Sequence, residues 1–278
     1  LVYAHAMPKR RAVRNPDSYW WIAPAAIAVG GAVALGAYAA SSSTAPQQVL
    51  LVDLANGPFP AQHKPSAVVL PAGLTASEPL DVWLYFRGVS KCTERVLSPA
   101  DGPCAPGGHP HKATHLLAQF AASGSKAILV VPELRFDAPG MDAGAFTEPG
   151  RVNAMLAEVL RLPAVVARIG ARSPSDVRRL GVMAHSGGVA PAAAVVAARP
   201  AGLSSVVLLD ALYRGEATFA SWVTENARRF GPNGDRRIGV VYTDGGGTDV
   251  RSRTLAETTR ATLETVGLGG EVLDDRGT

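Results

Sequence analysis

The stretch L-G-V-M-A-H-S-G-G, Leu180 to Gly188, decides how this chain is read. A short apolar run stops at a histidine, a serine and two glycines. A serine can be presented at the end of a buried strand only if the backbone turns sharply into a helix, and small residues around it let that strained turn form. Ala184, Gly187 and Gly188 supply the smallness. The next ten residues, V-A-P-A-A-A-V-V-A-A at 189–198, are alanine-rich and helix-compatible, with Pro191 tolerated in a first turn. The order is strand, Ser186, helix, which is that of a nucleophile elbow.

Working outward, eight runs have strand character: 49–54, 67–70, 81–86, 127–131, 180–184, 205–209, 238–242 and 271–273. The last five are short, rich in Val, Ile or Leu, and separated by helix-compatible segments, as a parallel sheet covered on both faces requires. Helices are expected at 113–122, 151–166, 189–198, 217–230 and 250–266, each long enough for a crossover. Met155, Val159 and Leu162 fall on one stripe of the second of these, a core face by spacing. The class is α/β, with an eight-stranded, mostly parallel sheet and helices on both faces.

With Ser186 after the fifth of eight strands, residues 47–278 resemble the α/β-hydrolase fold. The marks that carry the resemblance are A-H-S-G-G, in which Ala184 replaces the first glycine of the usual G-x-S-x-G, and Y-F-R-G, Tyr85 to Gly88, ending the third strand. V-P-E-L-R-F-D-A-P-G at 131–140 and L-L-D-A-L-Y at 208–213 also resemble segments of bacterial hydrolase-like proteins. The resemblance implies a serine nucleophile at Ser186 and an oxyanion hole made by the backbone N–H groups of Gly187 and Val89. Arg87 stands where the family often has a histidine.

The acid of such a triad belongs at the carboxyl end of the sixth or seventh strand, so that all groups converge at one sheet edge. Asp210, ending V-V-L-L-D, is preferred, because a carboxylate at the mouth of a buried strand is costly unless hydrogen-bonded. Asp244, flanking G-G-G-T with Asp249, holds the family's more usual position. Asp210 can instead cap a helix, and Asp244 can instead serve its turn. The base should be a histidine after the eighth strand, yet the last histidine is His185, a poor base because neighbours in an elbow point apart. The expectation is that the protein continues past Thr278 and carries a histidine within about 30 residues. It likewise begins with Leu1-Val2-Tyr3, ahead of the first methionine, Met7.

Residues 1–40 are expected to be a signal peptide or membrane anchor, and 41–278 one α/β-hydrolase-like domain. Lys9, Arg10, Arg11 and Arg14 precede an uncharged apolar run at 20–40, and Ala37-Tyr38-Ala39 offers a cleavage site. The run is also about long enough to span a bilayer, leaving an inner-membrane anchor through 20–40 beside a secreted or periplasmic product. Of the net charge of +4, residues 1–39 contribute +3 (four basic residues against Asp17), so the basic balance is no argument for nucleic acid. Cys92 and Cys104, in one Pro/Gly-rich loop, can close a small ring in an oxidising compartment. His109, His111 and His115 have spacing that zinc can use, but Pro110 interrupts them and a polar loop is the commoner explanation. Gly245-Gly246-Gly247 lacks the lysine of a phosphate loop and reads as a turn. The expectation is an exported serine hydrolase acting on a small ester or amide with no cofactor. The alternative is a non-catalytic binding or envelope protein on the same scaffold.

Overall fold

A computed structural model describes residues 2–7, 46–60, 65–89, 91–104, 108–135, 142–231, 233–268 and 272–275. The apolar run assigned to a leader or anchor lies outside them. Among the described residues no helix is long and apolar enough to cross a membrane.

The described strands form one sheet. They are β1 (Val2–Met7), β2 (Gln48–Val52), β3 (Ser66–Leu70), β4 (Asp81–Phe86), β5 (Ile128–Val131), β6 (Arg179–His185), β7 (Leu203–Leu209), β8 (Arg237–Thr243) and β9 (Val272–Asp275). Their spatial order is β2-β3-β5-β4-β6-β7-β8-β1-β9. Strand β3 runs antiparallel to β2 and β5, and the other pairs are parallel. All eight sequence runs become strands. The eight-stranded expectation is corrected to nine, because Val2–Met7 inserts between β8 and β9 from the segment expected to belong to the leader.

The helices are α1 (Thr93–Leu97), α2 (Leu116–Ala122), α3 (Arg151–Leu160), α4 (Pro163–Ile169), α5 (Val189–Ala198), α6 (Glu216–Glu225) and α7 (Asp249–Glu264). The single helix expected at 151–166 is two, because Pro163 has no N–H to donate in continuing α3 and instead opens α4 at its first turn. Right-handed crossovers decide which face each helix covers. The step from β4 to β5 runs one way along the sheet, and the later steps run the other way. Accordingly α1 and α2 pack Val96, Leu97 and Phe120 on Val69, Tyr85 and Leu129. Helices α3 to α7 bury Met155, Val165, Val195, Phe219 and Leu255 with Leu84, Val182 and Val206 on the opposite face. On the α2 face, Trp83, Phe120, Met183, Val207 and Leu209 line a cavity of about 370 Å3 that does not include Ser186.

Candidate functional site

Parallel register brings the ends of β4, β6, β7 and β8 to one edge. Phe86 pairs with Ala184, His185 with Leu209, and Leu209 with Val241. Ser186 and Asp210 therefore each stand one residue beyond a paired position on neighbouring strands. Ser186 opens a single 3-10 turn between β6 and α5, with φ of 50°. A serine in the left-handed region costs about 1–3 kcal/mol and persists only where its surroundings impose it. Here they do. A Cβ placed on Gly188 would lie 2.2 Å from the Phe86 carbonyl oxygen and 2.8 Å from that of Arg87. One placed on Gly88 would lie 3.1 Å from Ser186 Cβ and 3.0 Å from His185 Nδ1. Gly188→Ala is expected to cost about 1–3 kcal/mol through this overpacking. Urea unfolding measures it, and an unchanged midpoint would contradict so close an approach.

Asp210 also has a left-handed backbone, φ 46°, and its N–H donates to the Val241 carbonyl at 2.7 Å. Its carboxylate accepts from Thr243 Oγ1 at 3.1 Å and from the hydroxyl of Thr248, a residue buried at the start of α7. Asp244 is exposed and paired with Arg253, while Asp249 accepts from Arg253 Nε at 2.5 Å and from the Gly245 N–H at 2.7 Å. Asp249 thus holds the turn at the start of α7, and Asp244 is held by Arg253. Thr243 and Thr248 carried no sequence signal of their own. They belong to the site only because β8 and α7 fold back over Asp210.

His185 ends β6 beside the serine. Burial, with some help from the positive charge of Lys91, lowers its pKa to about 4 against a weaker opposing pull from Asp210. It is therefore neutral at pH 7. Since the folded pKa lies below the unfolded value of about 6.5, the unfolded chain takes up the proton first, and stability falls as pH drops from 6.5 toward 4. The expected loss is up to about 3 kcal/mol. Denaturant unfolding at pH 7.5 and 4.5 should show it, and His185→Gln should flatten the difference; an equally steep difference in the variant would refute the assignment.

The loop after β4 carries the remaining expected residues. Val89 is 40% exposed at its tip. Arg87, by contrast, is buried, its Nη2 donating to Glu133 Oε1 at 2.5 Å and to the Leu134 carbonyl. Burial lowers its pKa from the usual arginine value, opposed chiefly by Glu133. Gly187, buried, follows Ser186 in the turn. Cys92 and Cys104 are joined by a disulfide with Cα atoms 5.6 Å apart. His111 pairs through its backbone with Gly102, His115 takes φ of 52° before α2, and no metal-binding cluster of His, Cys, Asp or Glu occurs among the described residues.

No family model matches the chain, and no curated protein matches it in sequence. Solved structures do. A ferulic acid esterase is similar over 84% of this chain and 91% of its own, with TM-score 0.53 and 14% identity. A feruloyl esterase module from Clostridium thermocellum, complexed with sinapinate, covers 84% of this chain and 82% of its own at TM-score 0.48 and 11% identity. The first of these likenesses shows the fold, which is that of the α/β-hydrolases.

Proposed function

We propose that this chain, built on the α/β-hydrolase fold, is a serine hydrolase that cleaves small esters or amides. The observation that carries the reading is the left-handed backbone of Ser186 at the strand-to-helix turn, a strain that the packing of Gly88 and Gly188 maintains. Ser186 Oγ attacks the carbonyl carbon while a histidine takes its proton. The electron pair of the C=O moves to oxygen, and the backbone N–H groups of Gly187 and Val89 stabilise the oxyanion. Collapse expels the alcohol or amine, which regains the proton, and water then releases the acid by the same route. Asp210 orients the histidine. Its favoured standing over Asp244 rests on its place beside Ser186 and on the two threonine hydroxyls that hold its carboxylate, whereas Asp244 is occupied by Arg253.

Export of the protein is supported by the basic and apolar pattern of residues 9–40 and by the Cys92–Cys104 disulfide, which an oxidising compartment sustains. The test is a fluorophosphonate probe applied to full-length protein, with peptide mapping of the adduct. Modification at Ser186 is the expected result. A folded protein that stays unlabelled while a positive-control hydrolase reacts favours the binding-protein alternative.

A further inference from the structure

We propose that the buried Arg87–Glu133 pair is the device that aims the Val89 N–H, and so sets how well this site stabilises an oxyanion. The proposal rests on the serine-hydrolase reading and adds to it a positioning role for two residues distant from the reacting atoms.

Strand β4 ends at Phe86, and no strand pairing holds the described residues that follow it up to Cys92. One carboxylate holds both ends of this loop. Glu133 Oε1 accepts from Arg87 Nη2 at 2.5 Å on the entering side, and Oε2 accepts from the Thr93 N–H at 3.0 Å where α1 begins. Glu133 is itself fixed, its N–H donating to Ser66 Oγ at 2.9 Å on β3. The Cys92–Cys104 disulfide ties the exit of the same loop.

The second Arg87 nitrogen orients the critical peptide. Arg87 Nη1 donates to the Gly88 carbonyl at 3.2 Å, which turns that oxygen toward the buried guanidinium. No cis peptide bond occurs among the described residues, and in a trans peptide the C=O and the following N–H point in opposite directions. Turning the Gly88 oxygen inward therefore turns the Val89 N–H outward, on a loop whose Gly88 Cα already lies against Ser186. A histidine at position 87 has neither the length nor the second donor to bond Glu133, the Leu134 carbonyl and the Gly88 carbonyl together.

Stability and positioning separate in a double replacement, because exchanging both members of a buried ion pair for apolar residues is commonly neutral or stabilising. In full-length protein, Arg87→Met with Glu133→Leu should melt near the wild-type temperature and lose about 100-fold in kcat on an activated ester, with KM little changed. Arg87→Lys, a milder change, keeps one cation but replaces the planar fork that spans the Glu133 carboxylate and the Gly88 carbonyl with a single nitrogen, and should lose about tenfold in kcat. A folded double variant with wild-type kcat overturns the proposal, and so does Arg87→Lys with wild-type kcat should the double variant not fold. A loss that only follows a lowered melting temperature also overturns it, leaving the pair a stabiliser. Wild-type protein that neither labels at Ser186 nor turns over ester overturns the hydrolase reading itself, a result distinguishable from all of these.

Discussion

Ser186→Ala is expected to abolish fluorophosphonate labelling of full-length protein and to lower kcat on an activated ester by about 10^4–10^6-fold, since the members of a nucleophile, base and acid set act as a unit. The fold should survive, because alanine has no greater difficulty at φ of 50° than serine has. Ser186→Gly should go further. Glycine occupies the left-handed region without a Cβ penalty, so this variant should be equally inactive yet more stable by about 1 kcal/mol. A gain in stability on deleting the nucleophile is what a strained functional turn predicts. Matched urea titrations and ester assays decide it. Labelling that survives Ser186→Ala would place the reactive group elsewhere, and a Ser186→Gly variant less stable than Ser186→Ala would refute the strain.

The second large effect is on folding. Glu133→Ala strands the Arg87 guanidinium in the interior, and breaking one side of a buried pair costs about 3–5 kcal/mol. The exposed pairs provide the internal control. Lys112 and Asp101 are each about half exposed, and Asp101→Ala should cost far less than Glu133→Ala, although its loss also frees the Ala113 N–H. Equal midpoints for Glu133→Ala and Asp101→Ala in urea would mean that water reaches Arg87.

Local chemistry made much of this architecture legible. Runs of three to six residues marked every strand from β2 to β9, and α5 was readable to the residue because the alanine-rich stretch follows the glycines directly. Cys92 and Cys104 were readable as a pair because one short loop holds both. The break at Pro163 is legible in principle, since proline has no N–H to continue a helix and restricts the residue before it. Strand β1 was not readable. Val2–Met7 becomes a strand by pairing with β8 and β9, whose residues lie more than 200 positions away, and parallel pairing has no local turn to announce it.

The sequence by itself determined the class of the fold and the position of the nucleophile candidate, because both follow from hydrophobic runs and from glycines adjacent to a serine. Only the tertiary structure shows what surrounds each candidate acid. The sequence favours Asp210 over Asp244 while leaving both open, and their surroundings differ through Thr243, Thr248 and Arg253, brought in by β8 and α7. The same holds for Arg87. An arginine reads as surface until a carboxylate 46 residues away receives it in the interior, and burial, unlike helix or strand character, is set by partners distant in sequence.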